Sequence, residues 1–198
     1  MNSLETLLRR MATVFHERGQ PWALVGGLAV SVRTEPRFTR DLDLAVAVAD
    51  DDAAEALVHN LHGVGFQTLA TVEQEATHRL ATARLAPFGS RSQGLMLDLL
   101  FASSGIETEI CQAAESLVVF PELSVPVARL YHLMVLKVLA RDDRTRPQDA
   151  ADLRQLIAVA EPSDLESACA AGLLIETRGF NRSRNLVRAV HVAWSEFR

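Results

Sequence analysis

The sequence predicts an α+β (α/β) fold, in which a small mixed β-sheet core flanked by helices is followed by a mainly helical C-terminal lobe. Two observations predict this class. Up to residue 104, short apolar or alternating runs typical of strands are interleaved with helical patterns, whereas from residue 105 the pattern is mainly helical. The chain has 198 residues, 48% of them hydrophobic, which is enough to bury a sizeable core. We therefore predict a core over 1–104 and a helical lobe over 105–198.

The composition excludes several classes of protein. A net charge of −5 argues against nucleic-acid binding through overall positive charge, although local basic patches stay open. Cys111 and Cys169 are the only cysteines, so the chain can form neither a disulfide framework nor a multi-cysteine zinc site. No apolar run approaches the ~20 residues that cross a bilayer. We therefore expect a cytoplasmic protein without a membrane partner.

The chain is predicted to begin with an amphipathic helix that packs onto the core. Asn2 and Glu5 have the spacing of a capping box, and Gly19 marks the end of the helix. A short buried strand follows at 22–25, after which Gly26-Gly27 turns the chain into a brief helix. The apolar positions of the first helix have helical spacing: Leu4, Leu7, Leu8, Met11 and Phe15.

The next predicted strand, 41–48, alternates aspartate or alanine with leucine or valine. This period of two places Asp41 and Asp43 on one face of the strand, and Leu42 and Leu44 on the other. The remaining elements of the core are predicted as a helix over 50–61 and strands over 66–72, 79–85 and 95–101.

The C-terminal lobe is predicted from one strand-like segment and a series of helices. The strand-like segment covers 117–120, and Pro121 and Pro126 indicate a turn after it. Helices are predicted over 129–141, from a Thr145/Gln148 capping box to residue 159, and in two shorter segments beyond.

Asp41 and Asp43 indicate a metal site. Two aspartates at positions i and i+2 of a strand have Cα atoms roughly 7 Å apart, so their carboxylates can converge on one or two hard cations such as Mg²⁺. A cation held in this way neutralises charge on a triphosphate and on the leaving pyrophosphate. The alternative is that both aspartates lie on a solvent-facing strand edge.

Two further features support phosphate chemistry. Gly26 and Gly27 at a helix start leave backbone N–H groups free and let a phosphate approach without a Cβ in the way. Asp98 lies in an otherwise apolar strand, where an ionised side chain needs a partner. That partner is either a metal shared with the other aspartates or an arginine such as Arg79 or Arg84.

The stretches Val-Gly-Gly-Leu-Ala at 25–29 and Arg-Phe-Thr-Arg-Asp-Leu-Asp-Leu at 37–44 resemble the signature of the DNA polymerase beta-type nucleotidyltransferases. Within that superfamily they are most similar to the AbiEii-type nucleotidyltransferases, toxins of toxin–antitoxin systems. The resemblance covers roughly residues 22–48. It implies that Gly26 and Gly27 hold the triphosphate, that Asp41 and Asp43 bind two Mg²⁺ ions, and that Asp98 is the third metal ligand and the base. Many relatives carry serine at the position of Gly27, so phosphate binding here depends more on other donors.

Further nucleotide-binding residues are expected around the three aspartates. Lys137 is one, because Arg141 and Arg144 follow at i+4 and i+7 and would form a basic stripe on one helix face. The resemblance also includes a lysine-bearing helix followed by an aspartate-bearing one, which here carries Asp149 and Asp152. Those aspartates either belong to the site or balance the arginines at 141, 144 and 146. Arg37 and Thr39 either contact the nucleotide or brace the loop before the metal strand.

The predicted function is Mg²⁺-dependent transfer of a nucleoside monophosphate from a nucleoside triphosphate (NTP) to an acceptor hydroxyl. The resemblance implies RNA, such as a tRNA 3′ end, or a protein as acceptor, and a cognate antitoxin as partner. Two alternatives stay open: transfer to a small molecule such as an aminoglycoside, and a non-catalytic binding module. Five arginines near the C-terminus would suit an RNA acceptor or form a solvated helix face: Arg178, Arg182, Arg184, Arg188 and Arg198.

Overall fold

The computed structural model describes residues 3–89, 94–142 and 147–198. These ranges contain eight helices and seven strands. In chain order the elements are α1 (Ser3–Glu17), β1 (Trp22–Val25), α2 (Gly26–Arg33), β2 (Asp41–Val46), α3 (Asp51–Gly63), β3 (Phe66–Glu73), β4 (Leu80–Pro87), β5 (Met96–Leu100), α4 (Glu107–Ala113), β6 (Glu115–Phe120), β7 (Leu123–Val127), α5 (Leu130–Ala140), α6 (Pro147–Val159), α7 (Pro162–Thr177) and α8 (Leu186–Phe197).

The strands form one mixed sheet in the order β3-β4-β5-β2-β1-β7-β6. β2 runs parallel to β5 and antiparallel to β1, while β4 runs antiparallel to both β3 and β5. β7 joins the sheet parallel to β1 and pairs with β6 in a hairpin. The predicted mixed sheet flanked by helices is confirmed. The sheet includes strands on both sides of residue 104, and a division of the chain at that residue stays a prediction.

β2 lies at the centre of the sheet, and its burial follows the predicted alternation only in its first half. Leu42 and Leu44 are fully buried, whereas Asp41 and Asp43 are half-buried. From Ala45 onward both faces are buried, because β2 is covered on both sides. The strand therefore presents aspartates to solvent at its start and is closed at its end.

The helices α1, α3, α5 and α6 begin and end close to their predicted positions, whereas α7, which was predicted to be shorter, has 16 residues and is longer than any of these four. In α1, the predicted apolar side chains are buried, and Leu8, Met11 and Phe15 are among the most deeply buried in the protein. The N-cap of α3 is Asp50, whose side chain accepts a hydrogen bond from Ala53 N–H at 2.9 Å. The two predicted capping boxes depend on Asn2 and Thr145, which lie outside the described residues.

The turn predicted at Pro126 in the C-terminal lobe is wrong. Pro126 does not mark a turn but lies within β7, opposite Ser116 of β6. The missing proline N–H is tolerated because β7 pairs with β1 only at Leu24 and Val127. The helix α4, between β5 and β6, was not predicted.

The last three helices, α6, α7 and α8, pack around α5. The predicted apolar character of α5 is confirmed, since Leu133, Val135 and Leu139 are buried on different sides of the helix. No helix among the described residues is long and apolar enough to cross a membrane.

Candidate active site

The start of β2 and the middle of β5 bring two carboxylates side by side. Asp43 and Asp98 are direct register neighbours in this parallel strand pair, and Asp41 lies two residues earlier on the same face as Asp43. We call these three residues the carboxylate centre. The sheet thus joins aspartates that are 55 residues apart in the sequence, as the resemblance implied.

The N-terminus of α2 covers Asp43. Val25, the last residue of β1, is the register partner of Asp43, and Gly27 N–H donates a hydrogen bond to the Asp43 carboxylate. Gly26 has a φ of +66°, and a Cβ at this position would overlap the carboxylate of Asp43. Gly26 is therefore required both by its backbone conformation and by the close approach of Asp43.

Asp43 carries its negative charge in an unfavourable environment. Burial, followed by the neighbouring charges of Asp98 and Asp41, raises the pKa of Asp43 to about 6, although Lys137 and the Gly27 N–H act in the opposite direction. A carboxylate surrounded by like charges is stabilised by any cation that binds beside it. The carboxylate centre therefore fits a hard divalent cation, which prefers oxygen ligands.

Both carboxylate oxygens of Asp98 are already bound by an arginine. Arg84 of β4 is its register neighbour and binds it with two hydrogen bonds, from Nε to Oδ1 at 2.8 Å and from Nη2 to Oδ2 at 2.6 Å. Among the described residues, no three His, Cys, Asp or Glu side chains form a ready-made metal site. Of the two partners considered for Asp98 from the sequence, the structure shows an arginine.

Lys137 of α5 lies in a second charged cluster, which faces the carboxylate centre. Its Nζ is 2.7 Å from Asp149 Oδ1 and 2.7 Å from Asp152 Oδ2, both on α6. Arg37 joins from the loop before β2, with Nη2 donating to Asp152 Oδ2 at 2.8 Å. We call Lys137, Asp149, Asp152 and Arg37 the lysine network. It connects the loop that precedes β2 to the C-terminal helices.

The charges of the lysine network are balanced although Asp149 and Asp152 are buried. Burial on its own would raise the pKa of Asp152, but hydrogen bonds from Arg37 and Lys137 outweigh it, and the pKa is lowered. The aspartates thus balance Arg37 and Lys137, while Arg141 binds Glu196. The other two arginines considered as their partners, at 144 and 146, lie outside the described ranges.

Arg37 and Thr39 brace the loop before β2. A Cβ at Gly27 would overlap the guanidinium of Arg37, so this glycine makes room for the pair between Arg37 and Asp152. Thr39 Oγ1 donates to the backbone carbonyl of Asp41 at 3.4 Å. Both residues line a hollow separate from the carboxylate centre. Of their two roles considered from the sequence, bracing is the one that the structure shows.

The predicted basic stripe is wrong. α5 ends at Ala140, and Arg141 has an extended backbone with φ −54° and ψ 123°, so it does not continue the helix face of Lys137. Its guanidinium binds both carboxylate oxygens of Glu196 at 3.0 and 3.2 Å. Arg141 therefore packs against α8 and not beside Lys137.

A cavity of about 410 Å³ joins the two charged clusters. Its walls include Gly26, Asp43 and Asp98 on one side and Lys137 and Asp149 on the other. A neighbouring cavity of about 590 Å³ continues from it, because Val72, Thr82, Ser103 and Arg182 line both. The combined space can hold a charged ligand beside the carboxylates and leave a second compartment next to it.

The roles of two arginines in this cavity were predicted only in part from the sequence. Arg84 was considered only as a partner of Asp98, and Arg182 only as one of a basic group. Period-two reasoning places Arg84 on a strand face, but the sequence does not say which strand lies next to β5. Only the sheet order brings it to the centre.

The C-terminal arginines do not form one basic patch. Arg178 binds Glu109, with Nη1 donating to Oε2 at 3.0 Å. Arg184 donates to carbonyls at the end of α5, including that of Arg141 at 2.8 Å. Arg198 donates to the Ala160 carbonyl at 2.8 Å at the end of α6. Three of the five arginines therefore stabilise the helical lobe.

Comparison with solved structures shows the fold. An antigenic nucleotidyltransferase-like protein from Paracoccidioides brasiliensis superposes with a TM-score of 0.55 at 18% identity, over 95% of this chain and 92% of that one. ANT(2″)-Ia in complex with adenylyl-2″-tobramycin gives a TM-score of 0.53 at 14% identity, over 98% of both chains. The lincosamide antibiotic adenylyltransferase LnuA, with lincomycin bound, gives 0.52 at 14% identity, over 81% of this chain and 100% of that one.

The family is shown by sequence comparison. No protein matches the chain in a comparison with curated sequences. The family model described as "Nucleotidyl transferase AbiEii toxin, Type IV TA system" matches residues 6–192. This match extends the resemblance seen at residues 22–48 to nearly the whole chain, and it implies an NTP substrate, a divalent metal and an antitoxin partner. The protein is a nucleotidyltransferase, and it belongs to the AbiEii toxin family of type IV toxin–antitoxin systems.

Proposed function

We propose that the protein transfers a nucleoside monophosphate from an NTP to an acceptor hydroxyl, with Mg²⁺ held by Asp41, Asp43 and Asp98. One observation carries this proposal. The neighbouring carboxylates of Asp43 and Asp98 share a cavity with the start of α2 and with Lys137. Carboxylates for metal and cationic groups for phosphate thus face each other across a space large enough for a nucleotide.

The residues have separate roles in this reaction. Asp41 and Asp43 hold the metal, Lys137 meets the phosphates, and the backbone around Gly26 lets a phosphate approach the start of α2. Two bound Mg²⁺ ions would neutralise charge on the triphosphate and on the leaving pyrophosphate. Asp98 is the third ligand and accepts the proton of the attacking hydroxyl.

The acceptor in this proposal is RNA, such as a tRNA 3′ end, in a cytoplasmic protein that an antitoxin controls. Arg182 lines both cavities and Arg188 is exposed on α8, which supports contacts of both side chains with the backbone phosphates of an RNA. Charge reversal of Arg182 and Arg188 is a cleaner test of RNA binding than charge reversal of Arg184. The latter would also remove the hydrogen bonds that cap α5.

A second acceptor class is supported by the chemistry of the adjoining cavity. Glu73 and Glu75 line it together with Arg182, which gives this compartment an excess of negative charge. Such a compartment suits a small, cationic, hydroxylated molecule such as an aminoglycoside. The structures of ANT(2″)-Ia and LnuA show that the same fold occurs in transferases for small antibiotics.

The test is incubation of the purified protein with each α-labelled NTP, Mg²⁺ and either total RNA or an aminoglycoside. Asp43→Asn is the inactive variant, and Asp52→Asn, the same change at an exposed position of α3, is the matched control. Label in RNA from the wild type and the control, but not from Asp43→Asn, supports the proposal. Label only in the aminoglycoside supports the second acceptor. No transfer together with no NTP binding by calorimetry indicates the non-catalytic module.

A further inference from the structure

Arg84 occupies the carboxylate that the proposed function assigns to the metal. Both oxygens of Asp98 accept hydrogen bonds from its guanidinium, at 2.8 and 2.6 Å. The Arg84 side chain is 44% exposed, whereas that of Asp98 is 10% exposed. The acid is thus fixed in the sheet, while its partner extends from β4 into the open cavity.

Metal and guanidinium compete at Asp98. The bidentate pair uses one lone pair of each carboxylate oxygen for an N–H group. A divalent cation on the remaining lone pairs would lie within several ångströms of the positive guanidinium, and at that distance like charges repel. Metal binding to Asp98 therefore favours the departure of Arg84.

The cavity offers Arg84 a second partner when an NTP is bound. Arg84 lines the same space as Gly26 and Lys137, the groups assigned to the phosphates. A guanidinium binds phosphate oxygens with the same two-pronged geometry that it uses for a carboxylate. Because its side chain is half-exposed, it can turn without unpacking the core.

Resting on the proposed function, we propose that Arg84 is an exchange residue: it holds Asp98 in the metal-free protein and moves to the triphosphate when metal and NTP bind. In the free protein it balances the charge of Asp98 beside Asp43. In the loaded protein the metal takes over that balance, and Arg84 becomes a nucleotide-binding residue. Metal and nucleotide affinity are thereby coupled through one side chain.

The exchange predicts effects of opposite sign in one variant. Arg84→Gln removes the competitor for Asp98, so Mn²⁺ alone, followed by its electron paramagnetic resonance signal, should bind about fivefold more tightly. The same variant lacks the phosphate contact, so each NTP with Mg²⁺ should bind about tenfold more weakly by calorimetry. A residue with a merely structural role would weaken both or neither.

Two further variants complete the experiment. Arg79→Gln is the matched control, because Arg79 forms a similar pair with Asp51 at 2.7 Å outside this cavity. It should leave both affinities unchanged. Arg84→Lys keeps the charge but cannot form the two-pronged pair, so Mn²⁺ should bind more tightly while NTP binding falls less than in Arg84→Gln. This variant also serves if Arg84→Gln does not fold.

The results separate this proposal from the proposed function. Unchanged or weaker Mn²⁺ binding in both Arg84 variants overturns the exchange, even if the wild type transfers label. Opposite changes in the two affinities support it, even if no acceptor is labelled. Absence of Mn²⁺ binding to the wild type overturns both proposals.

Discussion

The carboxylate centre and the lysine network face each other across one cavity, and they differ in how their charges are balanced. In the lysine network, buried Asp152 accepts hydrogen bonds from Arg37 and Lys137, and its pKa is lowered. In the carboxylate centre, burial and the neighbouring charges of Asp98 and Asp41 raise the pKa of Asp43 to about 6. The lysine network thus balances its buried acids with its own cations, whereas the carboxylate centre is stabilised by an added cation.

Neutralising one acid in each cluster tests whether the two clusters differ in this way, and the largest effect is expected at Asp43. Asp43→Asn should reduce nucleotidyl transfer by about a thousandfold, because it removes a metal ligand in a reaction that depends on electrostatic stabilisation. Labelled transfer gives the rate, and urea unfolding should show that the variant folds at least as stably as the wild type. A large loss of stability would mean that Asp43 is a structural acid.

The corresponding change in the lysine network should act mainly on the fold. Asp152→Asn leaves Arg37 without its buried counter-charge and Lys137 with Asp149 alone, and we expect the free energy of unfolding to fall by about 3 kcal/mol. Urea unfolding is the measurement, with the exposed Asp52→Asn as control. A stable Asp152→Asn variant that has lost transfer would instead show that Asp152 itself acts in catalysis.

The raised pKa of Asp43 predicts a pH dependence of stability in the absence of metal. Between the usual aspartate pKa of 3.8 and about 6, the folded protein binds a proton that the unfolded chain does not, so stability increases as the pH falls through this range. At pH 7 the charge costs about 3 kcal/mol. Asp43→Asn should thus stabilise the protein at pH 7 in EDTA, and not at pH 4. An equal effect at both pH values would contradict the assigned cause.

The smallest expected effect concerns the glycine that links the two clusters. Gly27 N–H donates a hydrogen bond to Asp43, and the guanidinium of Arg37 fills the space that a Cβ would need at this position. Gly27→Ala should displace Arg37 from Asp152 and lower the free energy of unfolding by about 1 kcal/mol, since the clash outweighs the better helix propensity of alanine. Gly63→Ala is the control, because its Cβ would meet open space and should be neutral or stabilising. A stabilised Gly27→Ala would show that Arg37 is not held there.

Most strands were predictable because their local pattern agrees with their place in the fold. The alternation at Asp41 to Leu44 predicted the face of β2 that carries the two aspartates, and the acidic start of α3 is confirmed by its Asp50 cap. The turn predicted at Pro126 failed because the proline lies where β7 has little pairing to lose. The helix α5 ends one residue earlier than predicted. Because Arg141 therefore lies outside the helix, its side chain binds Glu196 and does not line the cavity beside Lys137.

The sequence by itself determined the mixed α/β class, the glycine turn before α2 and the three aspartates, because each is written in a short window of residue types and spacings. Only the tertiary structure decided the partners of these groups. It set Arg84 against Asp98 and drew Arg37, Lys137 and Asp152 into one network across 115 residues. The reason is physical: a local pattern fixes which face a side chain occupies, whereas strand order and helix packing decide which charge lies opposite it.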